Sequence, residues 1–404
     1  MAARREGLRI VVLGYVVRGP LGGMVWSNLQ YLRGLAALGH EVWFAEDSDD
    51  HPSCYDPSRH VVGTNPGYGL GFAQTVFARI GLGERWAYHD AHAGCWRGPA
   101  ADRMRSVLAT AEVLLDLCGV NAMRPWLLDI PLRVLVDEDP AFTQIRHLSD
   151  PSALQSARSH NAFFSFATNW GRPACTVPDD GLPWRPTRQP LVLDSIVPSP
   201  GPRQAAFTTV MQWDSYPARV HQGRHYGLKS DSLLPLIDLP ARVHEMLELA
   251  LGGAQAPRSD LRSHGWRVVD PLAPTRDPWT YEAYLAASKA EFSVAKQAYV
   301  VTGSGWFSER SVAYLASGRP VVVQDTAFSG WLPTGLGAVA FSSADEAVAA
   351  IEDVAARYDI HCRTARDLVE AHFDARQVLG SLIDEAHAAL AGPAPAAPAG
   401  ARDD

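Results

Sequence analysis

Short apolar runs bounded by glycine, proline and acidic residues alternate along this chain with longer stretches of helical period. Residues 8–14, LRIVVLG, read as a buried strand. A loop carrying Gly14, Gly19, Gly22 and Gly23 follows, and then 25–38 places Leu29, Leu32, Leu35 and Leu38 near helical spacing. Gly39 suits a helix C-terminus, and the next apolar run ends on Glu46 and Asp47, which either meet a ribose or are a solvated strand end. This is a strand–helix–strand unit of Rossmann type, but its glycines do not form GxGxxG, so it lacks a dinucleotide fingerprint.

The pattern predicts a loop over 48–68, a helix over 68–82, a loop over 86–96, a helix over 104–111, and strands at 113–117, 131–136 and 162–167. Residues 171–203 hold eight prolines and little periodicity, which marks a boundary between domains. A second α/β pattern follows, with strands at 206–213, 266–269, 290–294 and 320–323 and helices at 258–264, 278–287, 343–358 and 363–378. Periodicity leaves 243–251 open between strand and helix, and 379–390 either extends or follows the last helix. The expected organisation is an N-terminal Rossmann-like domain over 1–185, a C-terminal one over 186–378, a helix over 379–391 and a disordered tail over 392–404.

The 404 residues carry a net charge of −8, which gives no basic signature for nucleic acid or an anionic membrane. Lysine occurs only at 229, 289 and 296, and the bias to Arg and Ala matches a GC-rich bacterial genome. Cysteines 54, 95, 118, 175 and 362 are odd in number and scattered, which argues against a disulfide framework or a zinc site; Cys118 reads as core. The basic-then-apolar N-terminus reads as a first strand rather than a signal peptide, no segment of spanning length is uniformly apolar, and the expected compartment is the cytoplasm.

Candidate chemistry gathers at 303–331. Gly303, Ser304 and Gly305 form a turn, Ser308 can cap a helix, Gly318 suits its C-terminus, and Pro320 opens a buried parallel strand. Helix starts and strand ends are where open α/β sheets bind ligands, and free amides at such a helix suit a phosphate. A second candidate is Asp137, Glu138 and Asp139 at the end of a strand, where Asp139 before Pro140 also reads as a helix cap. His89, His92 and Cys95 lie close together, yet not at a standard zinc spacing, so a loop with one useful histidine is the functional reading and a structural loop the plain one.

The stretch GWFSERSVAYLASGRPVVVQDT resembles the donor-binding segment of bacterial GT-B glycosyltransferases of the "glycosyl transferases group 1" branch. The match includes Arg310, Leu315, Ala316, Gly318, Pro320 and the apolar strand, and the N-terminal unit resembles the same fold. The resemblance implies two Rossmann-like domains facing each other across a cleft. It also implies transfer of a sugar from a nucleotide-sugar donor to a small-molecule or glycan acceptor, independent of metal. In retaining members two carboxylates flank the site helix; here Gly305 and Ala313 stand at those positions, and the His that serves inverting members is missing from the first loop. Glu309, one turn before Ala313, either substitutes for the lost contact or complements the helix dipole.

Under that implied chemistry Lys296 and Arg310 are the candidate cations for the diphosphate. Gly303, Ser304, Gly305, Trp306, Ser308 and Ser311 form the donor turn and helix, with Asp325 and Thr326 toward the sugar hydroxyls. Asp137 and Asp139 rank before His89 and His92 as general base, and Gly22 and Gly23 let the acceptor-side loop approach substrate. Two alternatives stand beside the transferase: a nucleotide-sugar-binding protein without activity, motivated by Gly305 and Ala313, and a GT-B-fold epimerase.

Overall fold

A computed structural model describes residues 7–199 and 201–390, so the expected tail at 392–404 lies outside the described residues. Two parallel sheets organise the chain. The first runs, in spatial order, through Arg185–Pro186, Ala162–Ser165, Leu132–Asp137, Val113–Leu117, Arg9–Leu13, Glu41–Asp47, Trp86–Asp90 and Cys95–Arg97. Only the last of these is antiparallel. The second sheet runs through Arg267–Val269, Leu247–Gly252, Phe207–Gln212, Ala290–Ser293, Val321–Gln324 and Ala338–Phe341, all parallel. Strands buried on both faces by crossover helices must be apolar throughout, as RIVVL and VVVQ nearly are.

The segment 243–251 resolves as the strand Leu247–Gly252. The expected loop at 86–96 is instead a hairpin, because Trp86–Asp90 pairs with Glu41–Asp47 and its last residue turns the chain back. Asp90 fixes that return, accepting from Arg97 Nε at 2.8 Å and from the Ala93 amide at 3.0 Å. The first helix starts earlier than its leucine pattern, at Gly22–Ala37, so Gly22 and Gly23 belong to its first turn rather than to a loop. Asp139 is not a helix cap: the helix Phe142–Ser149 begins three residues later, after Ala141 at φ 72°.

The helix expected over 363–378 ends at His372, and Ala375–Leu390 is a separate helix. Between them Leu191 takes both backbone partners, donating to Phe373 O at 2.7 Å and accepting from the Ala375 amide at 2.7 Å. The chain thereby returns to the first sheet, where Leu379, Leu382 and Ile383 join its core. Gly34 of the first helix permits this seam, since a Cβ there would stand 2.6 Å from Leu379 and 2.8 Å from Ala375.

Candidate functional site

The C-terminal ends of the two sheets face one cleft of about 1120 Å³, with residues of both halves in its walls. This is where parallel sheets present ligands, because strand ends leave side chains and helix N-termini free. On the C-terminal wall stand Lys229, Glu309 and Arg310, and on the N-terminal wall Tyr15, Tyr55 and Glu138.

Ser308 caps the helix Glu309–Ala316, accepting from the Arg310 amide at 3.2 Å, and the helix start lies against the cleft. Arg310 is buried and ion-paired with Glu291 at 2.7 Å, and its Nη1 donates to Val210 O at 3.1 Å. Burial works against its charge, but Glu291 beside it more than offsets this and holds the guanidinium firmly protonated. Lys229 opens the short helix that follows the first strand of the second sheet. It makes no ion pair or hydrogen bond among the described residues. Burial, then the positive charges of Arg310 and Lys296, brings its pKa down to about 7.

Glu138 follows the strand Leu132–Asp137, and its Oε2 accepts from the Cys118 thiol at 3.1 Å. Burial pushes its carboxyl up to about 7 against the lowering effect of that thiol, and the Glu309 charge adds to the rise. Cys118 is therefore not plain core: at φ 66° the chain turns as the strand ends, and the thiol reaches the cleft.

Side chains alternate across a strand end, which separates three neighbouring acids. Asp137 points into the protein, where it accepts from Ser165 Oγ at 2.8 Å, the Asp139 amide at 2.9 Å and Gln144 Nε2 at 3.0 Å. Asp139 turns to the other half of the molecule and pairs with Lys296 at 2.8 Å, with Tyr216 and Tyr299 donating to the same carboxylate. Of the three acids only Glu138 lines the cleft. Lys296 is accordingly a partner of Asp139, ringed by Phe142, Tyr216 and Tyr299, rather than a cleft cation.

The glycine turn at 303–305 is packed against the first half of the molecule and lines no part of the cleft. Asn169 Nδ2 donates to Gly303 O at 3.1 Å and Ala327 O at 3.0 Å, and its amide donates to Ser304 O at 3.0 Å. Gly305 sits at φ 75°, and a Cβ there would stand 2.7 Å from Asn169, so no carboxylate fits the position. Trp306 Nε1 donates to Glu138 O at 3.2 Å, and Ser311 and Ala313 are buried in the helix. Asp325 caps the turn at Ser329, and Thr326 donates to Trp306 O. Of the expected donor segment, Glu309 and Arg310 reach the cleft.

On the acceptor side Gly23 lines the cleft, whereas Gly22 donates its amide to Thr275 O at 2.6 Å across the halves. His89 lies outside the cleft lining, bonded to Asp47 at 2.7 Å between the rings of Trp96 and Trp126, and His92 is exposed on the hairpin turn. Of the charged residues lining the cleft, Glu138 belongs to the strand-end candidate at 137–139, though Asp137 and Asp139 were the expected bases, and Lys229 was not singled out by sequence reasoning. The available signal for Lys229 is its place at a helix start in the first crossover of the second α/β pattern.

No protein-family model matches the chain, and no curated protein matches it by sequence. Solved structures do match. An alpha-glucosyltransferase in complex with UDP-glucose and DNA containing an abasic site is 11% identical, over 94% of this chain and 98% of the other, with TM-score 0.58. HepE of Anabaena, in complex with UDP-glucose, is 13% identical over 94% and 99%, with TM-score 0.53. AviGT4, a glycosyltransferase involved in avilamycin A biosynthesis, is 14% identical over 95% and 98%, with TM-score 0.52. The fold is GT-B. At these identities the likeness carries the architecture and leaves the chemistry to the residues in the cleft. In this GT-B chain those residues are Lys229, Arg258 and Arg310 with Asp270 and Glu309 on one wall, Arg258 being bonded to Gly253 O and Leu251 O, and Glu138 opposite.

Proposed function

We propose that the protein transfers a sugar from a nucleoside-diphosphate sugar, UDP-glucose being the first to try, to an acceptor hydroxyl. The observation that carries this reading is Lys229, unpaired among the described residues and beside Arg310, on the wall facing Glu138. Two cations and a helix start can neutralise a leaving diphosphate without a metal ion. Glu309, half-buried and without an ion pair among the described residues, accepts from the sugar hydroxyls. The bond between the anomeric carbon and the diphosphate oxygen breaks, and that oxygen keeps the electron pair. The acceptor oxygen bonds to the anomeric carbon, and its proton passes to Glu138.

A cleft walled by the loop and first helix turn of the N-terminal half favours a transferase over an epimerase, which needs no acceptor wall. Replacing Glu138 by Gln is expected to lower transfer about 10²–10⁴-fold while leaving nucleotide affinity unchanged. Full activity in Glu138→Gln would remove it as the base, and absence of transfer in the wild type with intact nucleotide binding would favour a binding protein.

A further inference from the structure

The two walls of the cleft differ in chemistry, and the difference bears on the acceptor. The cleft, at about 1120 Å³, exceeds the ~300–1,000 Å³ of an ordinary small-molecule site and has room for two substrates. The cations stand on the C-terminal wall. The N-terminal wall presents Tyr15, Leu21, Met24, Tyr55, Leu117 and Val120. Apart from its tyrosines, its titratable groups are Glu138, Cys118 and His60. No Arg of residues 7–199 lines it, and no Lys precedes Lys229 in the whole sequence. Arg18, close in sequence, is turned inward, bonded to Glu46 at 3.3 Å and Val120 O at 2.7 Å. Asn28 is satisfied within its own half, accepting from the Tyr15 amide at 3.3 Å and donating to Met24 O at 3.0 Å.

Such a wall offers the many hydroxyls of a glycan few partners beyond Ser27, His60, Glu138 and the two tyrosine hydroxyls, and it offers the phosphates of a nucleic acid no Lys or Arg. Tyrosine rings and aliphatic groups instead suit a flat apolar body, and the one carboxylate among them suits a single hydroxyl. Resting on the glycosyl-transfer reading above, we infer that the acceptor is an uncharged, largely apolar aromatic compound bearing a hydroxyl. Tyr55 and Val120 hold its ring and Glu138 meets its hydroxyl.

The test uses the full chain with the nucleotide sugar that binds best. Acceptors are para-nitrophenol, a flavonoid and a hydroxycoumarin, set against a maltooligosaccharide, hydroxymethylated duplex DNA and diacylglycerol vesicles. The aromatic compounds are expected to be glycosylated. Tyr55→Ala should raise their KM at least about fivefold with the donor KM unchanged within about twofold. Val120→Lys, checked for folding by its retained nucleotide binding, should shift preference toward a hydroxybenzoate. Transfer confined to the oligosaccharide, DNA or vesicles, or no binding of any aromatic acceptor by an enzyme that binds nucleotide, overturns the inference and spares the transferase reading. No binding of any nucleoside diphosphate overturns both.

Discussion

Glu138 and Lys229 face the same cleft from opposite walls, and burial brings each to about 7 from opposite directions. Transfer as proposed needs Glu138 ionised and Lys229 protonated. The wild-type kcat/KM is therefore expected to fall on both sides of pH about 7, and Lys229→Ala to lose the alkaline limb alone. A profile flat from about pH 5 to about 9 would contradict both assignments. The same shift has a consequence for stability. Glu138 is raised from 4.5 to about 7, so between those values the folded state binds the proton more tightly, and this group's contribution to stability falls as pH rises. The sequence left Lys229 hidden and gave no ground for preferring Glu138 to Asp137 and Asp139, for a physical reason. Lys296 and Asp139 have the same strand-end addresses, and which neighbour turns into a cleft depends on partners far along the chain. Asp139 and Lys296 find each other across 157 positions, a contact no local pattern encodes.

At the scale of elements, what was legible is what local rules dictate. Ser308 caps its helix, Gly318 ends it at φ 72°, and Val321–Gln324 follows as a buried strand. The helix Pro278–Ala287 has the bounds its pattern predicts, with Asp277 accepting from the amides of Trp279 and Thr280. What was not legible is where the glycine turn packs. Its freedom serves the close approach of Asn169 from the other half, not a phosphate. Gly305→Ala is expected to destabilise by about 1–3 kcal/mol, because it adds both a left-handed strain and a contact at 2.7 Å. Chemical denaturation would measure this, and an unchanged midpoint would mean that the turn is free to move. The hairpin at 86–97 was missed because its glycine and histidines read as loop, while the pairing that makes it a strand comes from Glu41–Asp47.

For the molecule as a whole, both sheets belong to one closed arrangement. Trp26 Nε1 donates to Glu282 at 2.7 Å on one side of the cleft, and Lys296 pairs with Asp139 on another. The last helix, Ala375–Leu390, completes the first sheet's core after the chain has built the second. Truncation after Asp374 is therefore expected to expose Leu32 and Leu35 and to lower the melting temperature sharply, and an unchanged value would show that the seam contributes little. On the proposed reading, Lys229 and Arg310 make this cleft a diphosphate site. Calorimetric titration of UDP, dTDP, GDP and ADP into the wild type, Lys229→Ala and Lys296→Ala measures that binding. The predicted result is selective binding of one diphosphate, weakened at least tenfold, or about 1.4 kcal/mol, in Lys229→Ala and held within about twofold in Lys296→Ala. Binding that survives Lys229→Ala, or that no nucleotide shows at all, would contradict it.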